Sequence, residues 1–237
     1  MAKPVPVIAP KIVVKQHGPY VVTGSVPLAV QTITPNTEGL SWDWVEGPSF
    51  EVKPSYELCR CGRSTRAPFC DGHHKTPPFD GAEAASRAPY VQHAEKSAGP
   101  ALELSDEEDL CAFARFCDPG GKIWELVKHP HSPEDTALAI REANHCPSGR
   151  LVVHDRETGD SLEDPQPVSI GVVDDPALGC SGPLWVRGRI RIESEDGTPY
   201  EARNRMALCR CGGSSNKPFC DGTHANIDFK ATGREPV

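Results

Sequence analysis

Two stretches of this chain, CRCGRSTRAPFCDGHH from Cys59 and CRCGGSSNKPFCDGTH from Cys209, repeat one arrangement of sulfur and imidazole at a constant offset of 150 residues. The candidate ligands are Cys59, Cys61, Cys70 and His74 in the first copy and Cys209, Cys211, Cys220 and His224 in the second, both spaced C-x-C-x8-C-x3-H. The first copy has His73 where the second has Thr223, and the shared C-x3-H spacing points to His74. A structural zinc site usually turns its close cysteine pair with two or more intervening residues, and C-x-C does not fit that habit. A 2Fe–2S cluster asks less of the protein: each iron needs two protein ligands, and bridging sulfides supply the rest. The close cysteine pair can then hold one iron, and the Cys and His of C-x3-H the other. Around them, Pro68 and Pro218 stiffen the approach to the third cysteine. Gly72 and Gly222 let backbone amides come near sulfide. Asp71 and Asp221 look like N-caps of a short helix carrying the histidine. Ser64, Ser214, Arg60 and Arg210 are candidate donors to sulfur, the kind of contact that tunes a potential.

The composition narrows the setting. The chain has 237 residues, a net charge of −8 and 6% aromatics, and no block of Lys and Arg, which argues against binding a phosphate backbone. The N-terminal stretch MAKPVPVIAPKIVV has prolines where an export signal needs a smooth apolar run, and no later window is long and apolar enough to span a bilayer. A cytoplasmic setting without a membrane or nucleic-acid partner is therefore expected. There the ten cysteines would be reduced, and ligation is their expected use.

The positioning elements can be read from the repeat. FEVKPSYELCRCG from Phe50 lies over YEARNRMALCRCG from Tyr200, and Phe79 over Phe229. Upstream, GPYVVTGSVPL from Gly18 is similar to GPLWVRGRIRI from Gly182 at an offset of 164, so the first copy carries about 14 extra residues, read as the loop QTITPNTEGLSWDW. Period-2 patterning in VVTGSVPL and LWVRGRIRI predicts half-buried strands. Each copy is too small for a good core of its own, so the two are expected to pack as an intramolecular pseudo-dimer. The expected architecture is α+β and mostly β. A first repeat spans 11–80, a linker and small α+β insert 81–181, and a second repeat 182–237. In the insert, Ser105 and Glu108 form a capping-box pattern before LCAFARF, and Ser132 with Pro133 opens a helix over EDTALAIREANH. Strands are expected at LVVHD and PVSIGVV.

The two loops resemble the CDGSH iron–sulfur family, whose pattern is C-x-C-x2-[S/T]-x3-P-x-C-D-G-[S/A/T]-H. The second copy matches every position and the first departs only at His73. The resemblance covers residues 18–80 and 182–230. It implies a β-rich, usually dimeric fold with one Cys3His 2Fe–2S cluster per motif, here two clusters with both halves supplied by one chain and no need of a second copy. The membrane anchor of some relatives has no counterpart here.

The insert holds Cys111, Cys117 and Cys146 in the frame CAFARFC followed by CPSG. This is similar to three-cysteine ferredoxins and to a divergent single-cluster 4Fe–4S family, and implies a third cluster. The residues themselves argue otherwise. AFARF has no glycine and reads as helix, and residues six apart on a helix diverge by about 240°. A degenerate ferredoxin-like insert with buried cysteines is the expectation on those grounds. Cys180 is assigned no role.

The chain has no dinucleotide fingerprint, P-loop, nucleophile elbow or paired carboxylates at motif spacing, so no enzyme is expected. The expected function is single-electron transfer to a redox partner, or cluster transfer to an apo-protein acceptor. A redox or iron sensor and a zinc-binding structural protein are the alternatives.

Overall fold

The computed structural model describes residues 9–233. Residues 1–8, which begin the stretch read above as lacking an export signal, and 234–237, which end the second repeat, lie outside that range. Twelve strands and three α-helices are described, and none of these helices is long and apolar enough to cross a membrane.

The first repeat contributes β1 (Lys11–Val14), β2 (Tyr20–Thr23), β3 (Leu28–Pro35), β4 (Ser41–Ser49) and β5 (Ser55–Leu58). The insert holds β6 (Glu95–Ala98), β7 (Leu102–Asp106), α1 (Ile123–Lys128), α2 (Pro133–His145) and β8 (Leu151–Asp155). Then follow β9 (Ser169–Asp175), β10 (Cys180–Arg187), β11 (Arg191–Ser194), β12 (Arg205–Leu208) and α3 (Thr223–Asn226).

The halves exchange strands. One sheet runs β11-β1-β2-β5 and the other β12-β10-β9-β3-β4. The second half thus lends β11 to the first sheet, and the first half lends the β3–β4 hairpin to the second. β11 lies parallel to β1, with Ile12 opposite Ile192. β3 lies parallel to β9, with Leu28 opposite Ile170. The pairing has a simple cause in the sequence, because period-2 apolar faces on short strands cannot close a core alone. The shared core draws Ile12, Val14, Tyr20 and Val22 from one half and Ile170, Val172, Leu184, Val186 and Ile192 from the other. Each fully buried aliphatic side chain contributes about 1.5–3 kcal/mol, so separating the halves would be costly.

Three expectations are corrected by the pairing. PVSIGVV, read as part of the insert, forms β9 and is hydrogen-bonded between β10 and β3 in the second sheet. The 14 extra residues are not a loop. They extend β3 and form β4, joined at a turn where Asn36 Oδ1 accepts from the amides of Glu38 and Leu40. LCAFARF is not helical: Ser105 is committed to β7, opposite Val152 of β8, and Phe113 and Arg115 adopt left-handed φ values of 53° and 60°. The second capping expectation holds, since Ser132 Oγ accepts from Asp135 N at the start of α2. Helix α1, with no cap of its own, was not anticipated.

The insert is a three-stranded sheet, β6-β7-β8, covered by α1 and α2. The β4 hairpin straps it to the rest. Arg141 donates to Trp42 O at 2.6 Å, Trp44 Nε1 donates to His145 O at 3.0 Å, and the Trp44 ring stacks on Trp185 at 4.6 Å.

Candidate metal centres

In the first loop Cys59 Sγ lies 3.7 Å from Cys61 Sγ, and Cys70 Sγ lies 3.4 Å from His74 Nδ1. The second loop repeats this at 3.8 Å for Cys209 and Cys211 and 3.4 Å for Cys220 and His224. Two thiolates bonded at about 2.3 Å to one tetrahedral metal sit about 3.7 Å apart, so each pair matches one edge of a tetrahedral ion. The pairs do not merge: among the described residues no three His, Cys, Asp or Glu side chains converge on a single metal ion. A donor set of two separate edges fits a binuclear cluster. His73 turns away, with Nδ1 2.8 Å from Asp71 Oδ2, so the structure brings His74, not His73, to the cysteines.

The donors toward sulfur are mainly backbone amides, with the Arg63 guanidinium added at Cys61. Gly213 N approaches Cys211 Sγ at 3.4 Å and Gly222 N approaches Cys220 Sγ at 3.5 Å. Amides of Gly62 and Ser64 face Cys59, and those of Gly212 and Ser214 face Cys209. Within each C-x-C pair the hydrogen bond from one thiol helps the other give up its proton, and the nearby amides assist. The polar side chains named from sequence do other work. Ser64 and Ser214 hydroxyls donate to Phe69 O and Phe219 O, both at 2.7 Å. Arg60 donates to Lys15 O, and Arg210 to Gly182 O and Val173 O. They fasten the loops to the sheets. Asp71 and Asp221 are not N-caps either, since the capping positions are Gly72 and Gly222 at φ 92° and 84°. Instead Asp221 accepts from the amide and hydroxyl of Ser215 and from those of Thr223, and Asp71 clasps Thr65 and His73 in the same way. Each aspartate ties the C-x-C turn to the histidine turn.

The two loops meet each other. A Cβ on Gly62 would stand 2.4 Å from Cys211 O, and one on Gly212 would stand 2.7 Å from Cys61 O. Only glycine allows that approach at these positive φ values. Tyr20 of the first half donates its hydroxyl to Cys209 O and Pro218 O of the second.

The copies differ in cover. Cys220 and His224 are 2% and 3% exposed, whereas Cys70 and His74 are half-buried. The cover is the insert. Ala112 packs with Ala207 and Cys220, a Cβ on Gly222 would lie 3.2 Å from Cys111 O, and Arg115 pairs with the buried Asp175 through two contacts of 2.8 and 3.2 Å. Burial, with the Arg210 charge adding to it, lowers the His224 pKa to about 4.

Cys111, Cys117 and Cys146 line one cavity, together with the loop 112–116 and Arg150. The expectation of diverging thiols fails because the loop between Cys111 and Cys117 is wound through left-handed residues rather than a helix. Burial raises the Cys117 thiol to about 12, a cost that a bound cation would remove. Three thiols around one cavity fit a further cluster. Cys180 is buried at the start of β10, apart from these groups.

Elsewhere in the insert, on α2, Glu142 is fully buried. Its Oε1 accepts from Gly120 N at 2.8 Å, its Oε2 has no partner, and burial raises its pKa to about 7. The folded state therefore holds the proton that the unfolded chain releases above about pH 4.5. Stability should fall as pH rises from there to about 7 and stay level beyond. Glu142→Gln should remove this slope and stabilise the chain by roughly 1–2 kcal/mol above pH 7. Urea unfolding at pH 5 and pH 8 reads this directly, and a slope retained in the variant would assign it to another group.

A family model described as iron-binding zinc finger, CDGSH type, matches residues 17–75 and 181–225. A second, described as divergent 4Fe-4S mono-cluster, matches residues 97–156. Comparison with curated proteins and with solved structures returned no significant match.

Proposed function

This is an iron–sulfur protein with two CDGSH-type regions flanking a divergent 4Fe–4S mono-cluster region, and we propose that each CDGSH-type region holds one 2Fe–2S cluster through three cysteines and one histidine. Cys59 and Cys61 hold one iron of the first cluster, and Cys70 and His74 the other. Cys209, Cys211, Cys220 and His224 do the same in the second. Cys111, Cys117 and Cys146 hold a third cluster in the insert. The function is non-enzymatic: one-electron exchange with a redox partner, or donation of a cluster to an apo-protein. The observation that carries this reading is the pairing of donors at 3.4–3.8 Å in both loops without a three-donor point for a single ion.

When bound, such a cluster takes up and releases one electron at a potential raised by neutral imidazole in place of a thiolate. The chain supplies the setting. Backbone amides stabilise negative sulfur, Asp71 and Asp221 hold the histidine turns in register, and the insert keeps water from His224. His74, half-buried, leaves the imidazole of the first site in reach of solvent.

The test is iron, zinc and acid-labile sulfide per chain on anaerobically purified protein, with the visible spectrum. About four irons and four sulfides from the CDGSH-type sites, plus roughly three or four irons from the insert, are expected. Zinc without sulfide would overturn the reading in favour of a structural metal protein.

A further inference from the structure

The two loops are near-copies in backbone, so the residues that differ between them are an internal comparison of what each rim faces. At the 150-residue offset Arg63 corresponds to Gly213, Arg66 to Asn216 and Lys75 to Ala225. The second copy has one added cation, Lys217 in place of Ala67, and its Nζ reaches back to Ser214 O. The first rim thus carries three cations where the second has neutral small residues.

These cations are not consumed by ion pairs. Arg66 and Lys75 are exposed, and Arg63 is half-buried with Nη2 on Pro77 O. Among the described residues none of the three makes a salt bridge. Of the acidic groups nearby, Asp71 is engaged by Thr65 and His73, while Glu57 and Asp80 are exposed. An open groove beside His74 is lined by His17, Lys75, Pro78, Phe79 and Asp80. The chain around this rim is acidic, with 33 Asp and Glu against 25 Lys and Arg. A local positive rim on a negative molecule orients an approaching body, because like charges elsewhere repel an acidic protein while the rim attracts it. The second loop cannot serve in this way, since the insert lies over it.

We propose that the rim of Arg63, Arg66 and Lys75 is the docking surface for a small acidic protein, which meets this chain at the first CDGSH-type site and not at the second. The proposal deepens the functional reading above and rests on it for what is exchanged, but the docking itself is a property of the rim.

The rim can be weakened with residues the fold already accepts in its other copy. The variant is Arg66→Asn and Lys75→Ala, with Arg63 kept because its guanidinium also lies beside Cys61. The control removes two exposed cations from the insert, by Lys122→Asn and Lys128→Ala. The probe is a fluorescently labelled, acidic plant-type apo-ferredoxin, titrated at low and at high salt against the purified full chain, with iron and sulfide counted on the same samples. Wild type and control should bind at low salt and weaken together as salt rises, while the rim variant should bind about ten-fold or more weakly with unchanged iron. Equal weakening by rim variant and control, or binding by wild type that ignores salt, would overturn the proposal. A preference for vesicles containing phosphatidylserine over the acidic protein, lost in the rim variant, would overturn it in favour of a membrane surface. A chain without sulfide that still binds the probe through the rim would remove the cluster reading and leave the docking surface standing.

Discussion

Arg205→Ala will detach the insert from the second half and cost roughly 3–5 kcal/mol of stability. Arg205 is fully buried, and its guanidinium is shared among four acceptors. Nε donates to Cys146 O at 2.7 Å, Nη2 to Ala143 O at 2.7 Å and to Leu151 O at 3.0 Å, and Nη1 to Glu163. Those acceptors lie at the C-terminal end of α2, at the third insert cysteine and on β8, while Arg205 itself begins β12. Alanine takes a strong donor from three carbonyls, of which Ala143 O and Cys146 O keep only the amides of Cys146 and Gly149, and leaves the Glu163 carboxylate without its guanidinium in a space that water enters poorly. The corresponding residue in the first half is Ser55, which has no insert to hold. Urea unfolding should show a lower midpoint or a separate early transition for the insert, and iron assigned to Cys111, Cys117 and Cys146 should fall while the CDGSH-type iron stays. Arg205→Lys should restore only part of the loss, because a single ammonium cannot reproduce the fork. An unchanged midpoint in the alanine variant would mean that the β4 strap and the Arg115–Asp175 pair hold the insert without it.

Acid will strip the first CDGSH-type site before the second. A histidine leaves a metal when its ligating nitrogen takes a proton, and burial decides how readily that proton arrives. His74 is half-exposed beside a half-buried Cys70, while His224 is 3% exposed and its pKa is lowered to about 4. A lowered pKa keeps the second ring neutral, and able to ligate, to a lower pH. At about pH 5 the cluster absorbance should therefore decay in two phases, with the first site faster by about ten-fold or more. His74→Cys should abolish the fast phase, and His224→Cys should leave it intact. The cover over the second site is pinned by Arg115 on buried Asp175, so Arg115→Ala should bring the slow phase toward the fast one. A single phase in wild type would mean that the insert does not shield His224.

The cluster loops were legible because their chemistry is local. Turns, amide donors and ligand spacing lie within sixteen consecutive residues, so C-x-C-x8-C-x3-H and its constant offset were enough to select all eight candidate ligands, and the structure brings them together in the expected pairs. The strands of the repeat were legible for a similar reason, since period-2 patterning is a property of a few neighbouring residues. The side-chain roles around sulfur were less so. Arg60, Arg210, Ser64 and Ser214 carry donors, but what a donor reaches depends on which carbonyls the fold sets beside it.

The insert was misread where a local rule met a distant contact. CAFARFC has the composition of a helix, yet Arg115 is drawn to Asp175 across 60 residues of sequence and the intervening chain winds through left-handed conformations around a cavity. No window of the sequence contains both partners. The exchange of β3 and β11 between sheets, and the place of β9 in the second sheet, are pairings of the same kind.

By itself the sequence determined two C-x-C-x8-C-x3-H motifs and a duplicated β-rich unit, because each of these is written in residues close together in the chain. Only the tertiary structure decided that the two sites are unlike, one open and ringed by cations and the other closed beneath the insert. Burial is set by what packs over a residue, and Ala112, which packs over Cys220, lies about a hundred residues away in sequence.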